Sequence, residues 1–125
     1  MAGDYNAIIP ARYRAMTATP AALVVYCTCP DRDTAQRLAE AAVQGGLAAC
    51  VNLLPGVVSV YTWNGALERA REVLLMAKTT RAAYPALEAL WRGEHPYELP
   101  EVIAVPVSSG SEPYLQWIEH AVSSS

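Results

Sequence analysis

The sequence predicts an α+β domain: a ferredoxin-like β-α-β-β-α-β sandwich with an antiparallel sheet, plus one further helix at the C-terminus. Three observations carry that prediction. Apolar, β-branched runs recur near residues 23–28, 47–63, 72–79 and 102–107. Segments with apolar residues three and four apart separate the first run from the second and the third from the fourth, and another follows the fourth. Asn64-Gly65 joins the second run to the third, and it is the strongest short hairpin signal because both residues tolerate positive φ.

The elements follow in order. Leu23-Val24-Val25-Tyr26 starts a strand that runs to about Thr28, and Pro30-Asp31 breaks it. Asp33 is placed to cap a helix whose face is Ala35, Leu38, Ala39, Ala42 and Val43. Gly45-Gly46 ends it, since glycine accepts left-handed geometry. Strand character returns from Leu47 to Leu54 and resumes from Val57 to Trp63, so Pro55-Gly56 marks a bend, a bulge or a break between two strands. The returning strand covers Glu72 to Thr79, with Leu67 to Arg71 as a possible beginning. A helix starts between Thr80 and Tyr84, because Pro85 is tolerated only in a first turn. Its apolar face is Tyr84, Leu87, Leu90 and Trp91, and Gly93 closes it. His95 to Pro100 is a proline-rich loop. Val102 to Val107 is a fourth strand, and Pro106 implies an edge or a strand end. Ser111 then caps a helix with Tyr114, Leu115, Ile118, Ala121 and Val122 on one face.

A chain of 125 residues and 13.5 kDa has room for one core. Residues 1–20 read as a flexible N-terminal extension and 21–125 as a single domain. With 53% apolar residues and a net charge of −3, the chain is not disordered. Lys78 is the only lysine among nine basic residues, which argues against a nucleic-acid surface. No apolar run is long enough to span a membrane, and Met1 to Pro20 holds no secretory apolar stretch. Three cysteines, an odd number, fit free thiols in a reducing cytoplasm.

The strands are apolar on both faces. Val57, Tyr61 and Trp63 alternate with Val58 and Val60, and Leu74 and Met76 alternate with Val73, Leu75 and Ala77. Two helices cover one face of such a sheet, and the last helix covers only part of the other. A second copy of the chain is the expected cover.

Four residues could hold a soft metal: Cys27 and Cys29, two apart on a strand, Cys50 in the next strand, and His95 in the proline-rich loop. Thiolates with an imidazole suit Cu(I) or Zn(II). Each also has a plain structural role: Cys50 after Leu47-Ala48-Ala49 reads as core, and His95 before Pro96 reads as a loop-ordering residue. Glu98 and Glu101 flank Leu99-Pro100 and could do acid–base work, or be solvated loop charge. Glu68 and Glu72 read as surface charge. Tyr61 and Trp63 fit cross-strand packing or the wall of a cleft. The nucleophile-elbow, phosphate-loop, zinc-protease and dinucleotide fingerprints are absent, so catalysis is not expected.

Taken together, the chain resembles the CutA family of divalent-cation tolerance proteins. The matching stretches are Cys27-Thr28-Cys29-Pro30-Asp31, Leu47-Ala48-Ala49-Cys50-Val51-Asn52, Tyr61-Thr62-Trp63-Asn64-Gly65, Lys78-Thr79, His95-Pro96-Tyr97-Glu98-Leu99-Pro100-Glu101 and Tyr114-Leu115-Gln116-Trp117-Ile118. They span about Leu23 to Val122, and the His-Pro-Tyr-Glu run is the most specific. The resemblance implies a homotrimer with strands pairing across subunits. It also implies a cytoplasmic, non-catalytic protein tied to tolerance of copper and other divalent metals, with the metal and further copies of itself as partners. Family copper ligands carry over as Cys27, Cys50 and His95. Cys29 offers a replacement thiol, and Leu90 stands near a position where some members have another cysteine. Residues 1–20 have no family counterpart. The trimer also looks like the PII signalling proteins, which implies an alternative: a sensor or scaffold binding a small effector near Tyr61, Trp63, Lys78, Tyr97, Glu98 and Glu101 in a cleft between subunits.

Overall fold

The fold, obtained as a computed structural model, is described for residues 21–123. The expectation for residues 1–20 lies outside the described residues. Strands β1 (Ala22–Cys29), β2 (Cys50–Trp63), β3 (Ala66–Thr80) and β4 (Ile103–Pro106) alternate with helices α1 (Arg32–Gln44), α2 (Tyr84–Glu94) and α3 (Glu112–Ser123) in the expected order. The sheet runs β2-β3-β1-β4, and every pairing is antiparallel.

Alternation sets the two faces of the sheet. Leu23, Val25, Cys27 and Cys29 of β1 point the same way as Val73, Leu75 and Ala77 of β3, and they pack with Ala35 and Leu38 of α1 and Leu87 and Trp91 of α2. This is the core. Each fully buried Leu or Val there contributes about 1.5–3 kcal/mol. The Trp91 indole N–H donates to the Leu38 carbonyl at 3.0 Å, so its polar atom is satisfied where the ring is fully buried. Helix α3 contacts β3 and β1. Its buried Ile118 and Val122 stand outside the helix-side core, so it covers part of the opposite face.

Several local expectations shift by a residue or two. Asp31, not Asp33, caps α1: its Oδ1 accepts from the Thr34 N–H at 2.7 Å. Extended backbone at Asp31, directly after Pro30, frees it for that role, and Asp33 falls in the first turn. Gly46 (φ 73°) takes the left-handed geometry after α1. Gly93 does not close α2, which continues through Glu94 to a cap at His95, where the following Pro96 forces extended backbone. Strand β2 starts at Cys50 rather than Leu47, because the chain first leaves α1 through backbone bonds from Leu47 and Ala48 to Ala42. Strand β4 is shorter than expected, and it is an edge strand ending at Pro106. Helix α3 begins directly after Ser111, whose carbonyl accepts from the Leu115 N–H.

Strands β2 and β3 form one long hairpin. Asn64 (φ 52°) and Gly65 (φ 81°) are both left-handed at its turn. The register slips once: Leu54 faces Leu74, yet Val57 faces Glu72, so β2 holds one extra residue at Pro55-Gly56. Gly56 accommodates it at φ 82°. Strand β1 pairs with β3 only from Val73 to Thr80. The rest of the hairpin is therefore a two-stranded arm, and Val58, Val60, Tyr61, Trp63 and Leu67 are exposed on it.

Candidate functional site

Two features meet where β1 ends. The first is a buried thiol cluster. Cys27 and Cys29 share the helix-side face at the end of β1, and α2 delivers His95 to the same place as its C-cap. The donor atoms of Cys27, Cys29 and His95 lie within 4.8 Å of one another, and all three side chains are buried.

Cys50 is not among them. It pairs with Lys78 in β3, whereas Cys27 pairs with Leu75. Lys78 and Leu75 are three residues apart, so Cys50 projects from the opposite face of the sheet. Among the candidate thiols, the fold brings Cys27 and Cys29 to His95 and separates Cys50 from all three.

The imidazole is fixed by backbone. Its Nδ1 accepts from the Tyr97 N–H at 3.1 Å, so Nε2 carries the proton and donates to the Thr28 carbonyl at 2.8 Å. Strand β4 stops pairing with β1 at Tyr26, and His95 supplies a partner to the Thr28 carbonyl beyond that point. The two thiols influence each other through a hydrogen bond. The hydrogen bond to Cys29, with burial, raises the Cys27 thiol far above the ordinary range, and the same bond lowers Cys29. Cys29 is thus the first thiolate of the pair.

Two thiols and an imidazole form a soft, nitrogen–sulfur donor set. Metal–sulfur bonds of about 2.3 Å need donors about 4 Å apart, so the widest pair would close by about 1 Å around an ion. Loading would also require His95 to release one of its two backbone bonds and Cys27 to lose its proton.

The second feature is a cavity of about 460 Å³ on the other side of the sheet end, lined by Thr28, Ser59, Val60, Tyr61, Trp63, Glu72, Tyr97, Glu98, Leu99 and Glu101. The bulge at Gly56 makes it possible. The extra residue inverts the alternation of β2, and Tyr61 and Trp63 come to the same face as Glu72. The cavity gathers the expected Tyr61, Trp63, Tyr97, Glu98 and Glu101. It does not include Lys78, which lies near the other end of the sheet and donates to Asn52 Oδ1.

Glu72 corrects the expectation of surface charge. It is only 7% exposed, and its Oε2 accepts the Tyr97 hydroxyl at 2.7 Å. Burial and this carboxylate raise the Tyr97 phenol above its ordinary range. Glu72 shares a strand face with Leu74 and Met76, which was the available sign that it turns inward. Thr28 and Leu99 enter the sequence reading as members of the matching stretches, and no sequence signal marks Ser59.

The family described as CutA1 divalent ion tolerance protein matches residues 23–121. Human protein CutA is 48% identical over 99 residues, covering 79% of this chain and 55% of the human one. The chain thus spans about half the length of that relative. The divalent-cation tolerance protein CutA of Thermus thermophilus is 42% identical over 95 residues, 76% of this chain and 92% of its own. The crystal structure of CutA from Xylella fastidiosa superposes with a TM-score of 0.80 at 41% identity, covering 82% of this chain and 98% of that one.

Proposed function

The chain belongs to the CutA1 divalent ion tolerance family, and from that premise we propose that it binds a soft metal ion, copper above all, as a non-catalytic tolerance protein. The observation that carries this reading is the convergence of Cys27, Cys29 and His95 within 4.8 Å. A thiolate-rich site of this kind suits Cu(I), or Zn(II) with a fourth ligand. Cys29 replaces Cys50 in the ligand set, because Cys50 lies on the wrong face of the sheet.

The working form is a homotrimer. Support comes from the arm: a two-stranded ribbon is marginally stable alone in water, and this one exposes Val58, Val60 and Leu67 on the face turned away from Tyr61 and Trp63. The working compartment is the cytoplasm, where three unpaired cysteines remain reduced. Among the described residues no helix is long and apolar enough to cross a membrane. A sensor for anionic effectors is not favoured, because Lys78 is outside the cavity and carboxylates line it.

The test is an anaerobic competition titration of reduced protein for Cu(I) against a chromogenic chelator. Stoichiometric binding that Cys27→Ser and Cys29→Ser each abolish, and that Cys50→Ser leaves intact, is the expected result. Equal binding by all three variants, or none by the unmodified protein, would remove the thiol cluster from consideration as a metal site.

A further inference from the structure

We propose that the cavity beside Tyr61 and Trp63 binds an extended aliphatic ammonium compound of the di- or polyamine class, at a site separate from the thiol cluster. The lining states the charge of the ligand. Glu72, Glu98 and Glu101 contribute carboxylates, and no lysine, arginine or histidine is present. An anion is repelled there. A cation gains charge-assisted hydrogen bonds from the carboxylates and attraction to the aromatic faces of Tyr61 and Trp63.

The placement of the charges separates an organic cation from a bare metal ion. Among the described residues, only Cys27, Cys29 and His95 bring three metal-ligating atoms within reach of one another. The carboxylates of the cavity do not converge in that way. They are distributed around a volume of about 460 Å³, in the range of small-molecule sites. A chain with separated ammonium groups matches distributed charge, and its methylene stem has Leu99 and the aromatic rings to lie against.

Among these carboxylates, Glu72 stands apart by its burial. It is more than nine-tenths buried, holds only the neutral Tyr97 hydroxyl, and faces no basic side chain in the cavity. A buried carboxylate without a countercharge is unfavourable, and a bound cation supplies one.

Titration calorimetry with spermidine at low salt tests the proposal on the full chain. Saturable binding is expected. Glu98→Gln and Glu101→Gln, both exposed positions, should each weaken it about tenfold at unchanged melting temperature. Trp63→Ala should weaken it also. Glu119→Gln, exposed on α3, should change nothing. Cys27→Ser should leave spermidine binding intact, so a failure of the metal reading leaves this one standing, and the reverse. Three results would overturn the proposal: no heat at millimolar spermidine, an equal loss on Glu119→Gln (diffuse attraction to an acidic protein), or displacement by equimolar magnesium (charge without shape).

Discussion

The His95 Nε2–H donates to the Thr28 carbonyl oxygen at 2.8 Å, across 67 residues of sequence. This bond closes the end of the sheet where β4 no longer reaches, and it places the loop after α2 between the thiol cluster and the acidic cavity. The Tyr97 N–H donates to the other nitrogen of the same ring. One imidazole therefore ties β1, the end of α2 and the cavity wall together.

His95→Ala removes both bonds and empties a buried position. It is expected to destabilise the chain by about 2–3 kcal/mol, read as a lower urea midpoint at unchanged slope. A loss well below 1 kcal/mol would mean that the loop is held by other contacts.

Tyr97→Phe leaves the buried Glu72 carboxylate without its donor and should cost about 1–3 kcal/mol. Glu72→Gln keeps an acceptor for the hydroxyl and should cost less. The phenol also has a pH signature. Its folded pKa is raised, so its contribution is complete below the unfolded value near 10 and is lost as pH climbs above it. Denaturation curves between pH 8 and about 11 should show this alkaline loss in the unmodified protein and lack it in Tyr97→Phe.

Asp31 has the opposite sign. Hydrogen bonds from the Thr34 backbone and side chain hold its carboxyl below the usual range. The stabilisation is therefore present above the unfolded pKa near 3.9 and is lost as pH falls through the folded value. Asp31→Asn should retain a cap but flatten this acid limb, and Asp31→Ala should lower the melting temperature at neutral pH as well. Identical acid limbs in all three proteins would refute the capping role.

Trp91→Ala should cost about 3–5 kcal/mol, because the ring is fully buried between α1 and the sheet. Trp91→Phe fills most of the volume but gives up the indole bond to the Leu38 carbonyl, which keeps its place in the α1 ladder, so a loss smaller than that of Trp91→Ala is expected in thermal melts.

The exposed arm bears on assembly. Val60→Asp and Leu67→Asp place charge on one apolar face of the hairpin, where both side chains are more than half exposed. Light scattering should show a trimer for the unmodified protein and a shift towards 13.5 kDa for the double variant. A 13.5 kDa particle before any substitution would refute the trimer.

Much of this architecture is legible along the chain because it rests on short-range rules. The order of elements follows from periodicity, the hairpin from Asn64-Gly65, and the start of α2 from Pro85. The cap of α1 was misplaced by two residues, because Asp31 and Asp33 carry the same chemistry and only backbone conformation distinguishes them.

What the sequence determined by itself is the set of elements, their apolar faces and the inventory of thiols, imidazole, aromatics and carboxylates. What only the tertiary structure decided is which of these residues meet. Cys50 and Cys27 are equivalent thiols until strand register puts them on opposite faces of one sheet. Tyr61 and Trp63 reach Glu72 only because one extra residue at Gly56 inverts the alternation of β2. Glu72 became a buried acid when the loop from His95 closed over it through Tyr97. Local preferences act over a few residues. Register and loop closure depend on contacts between residues far apart in the chain, and no local spacing records them.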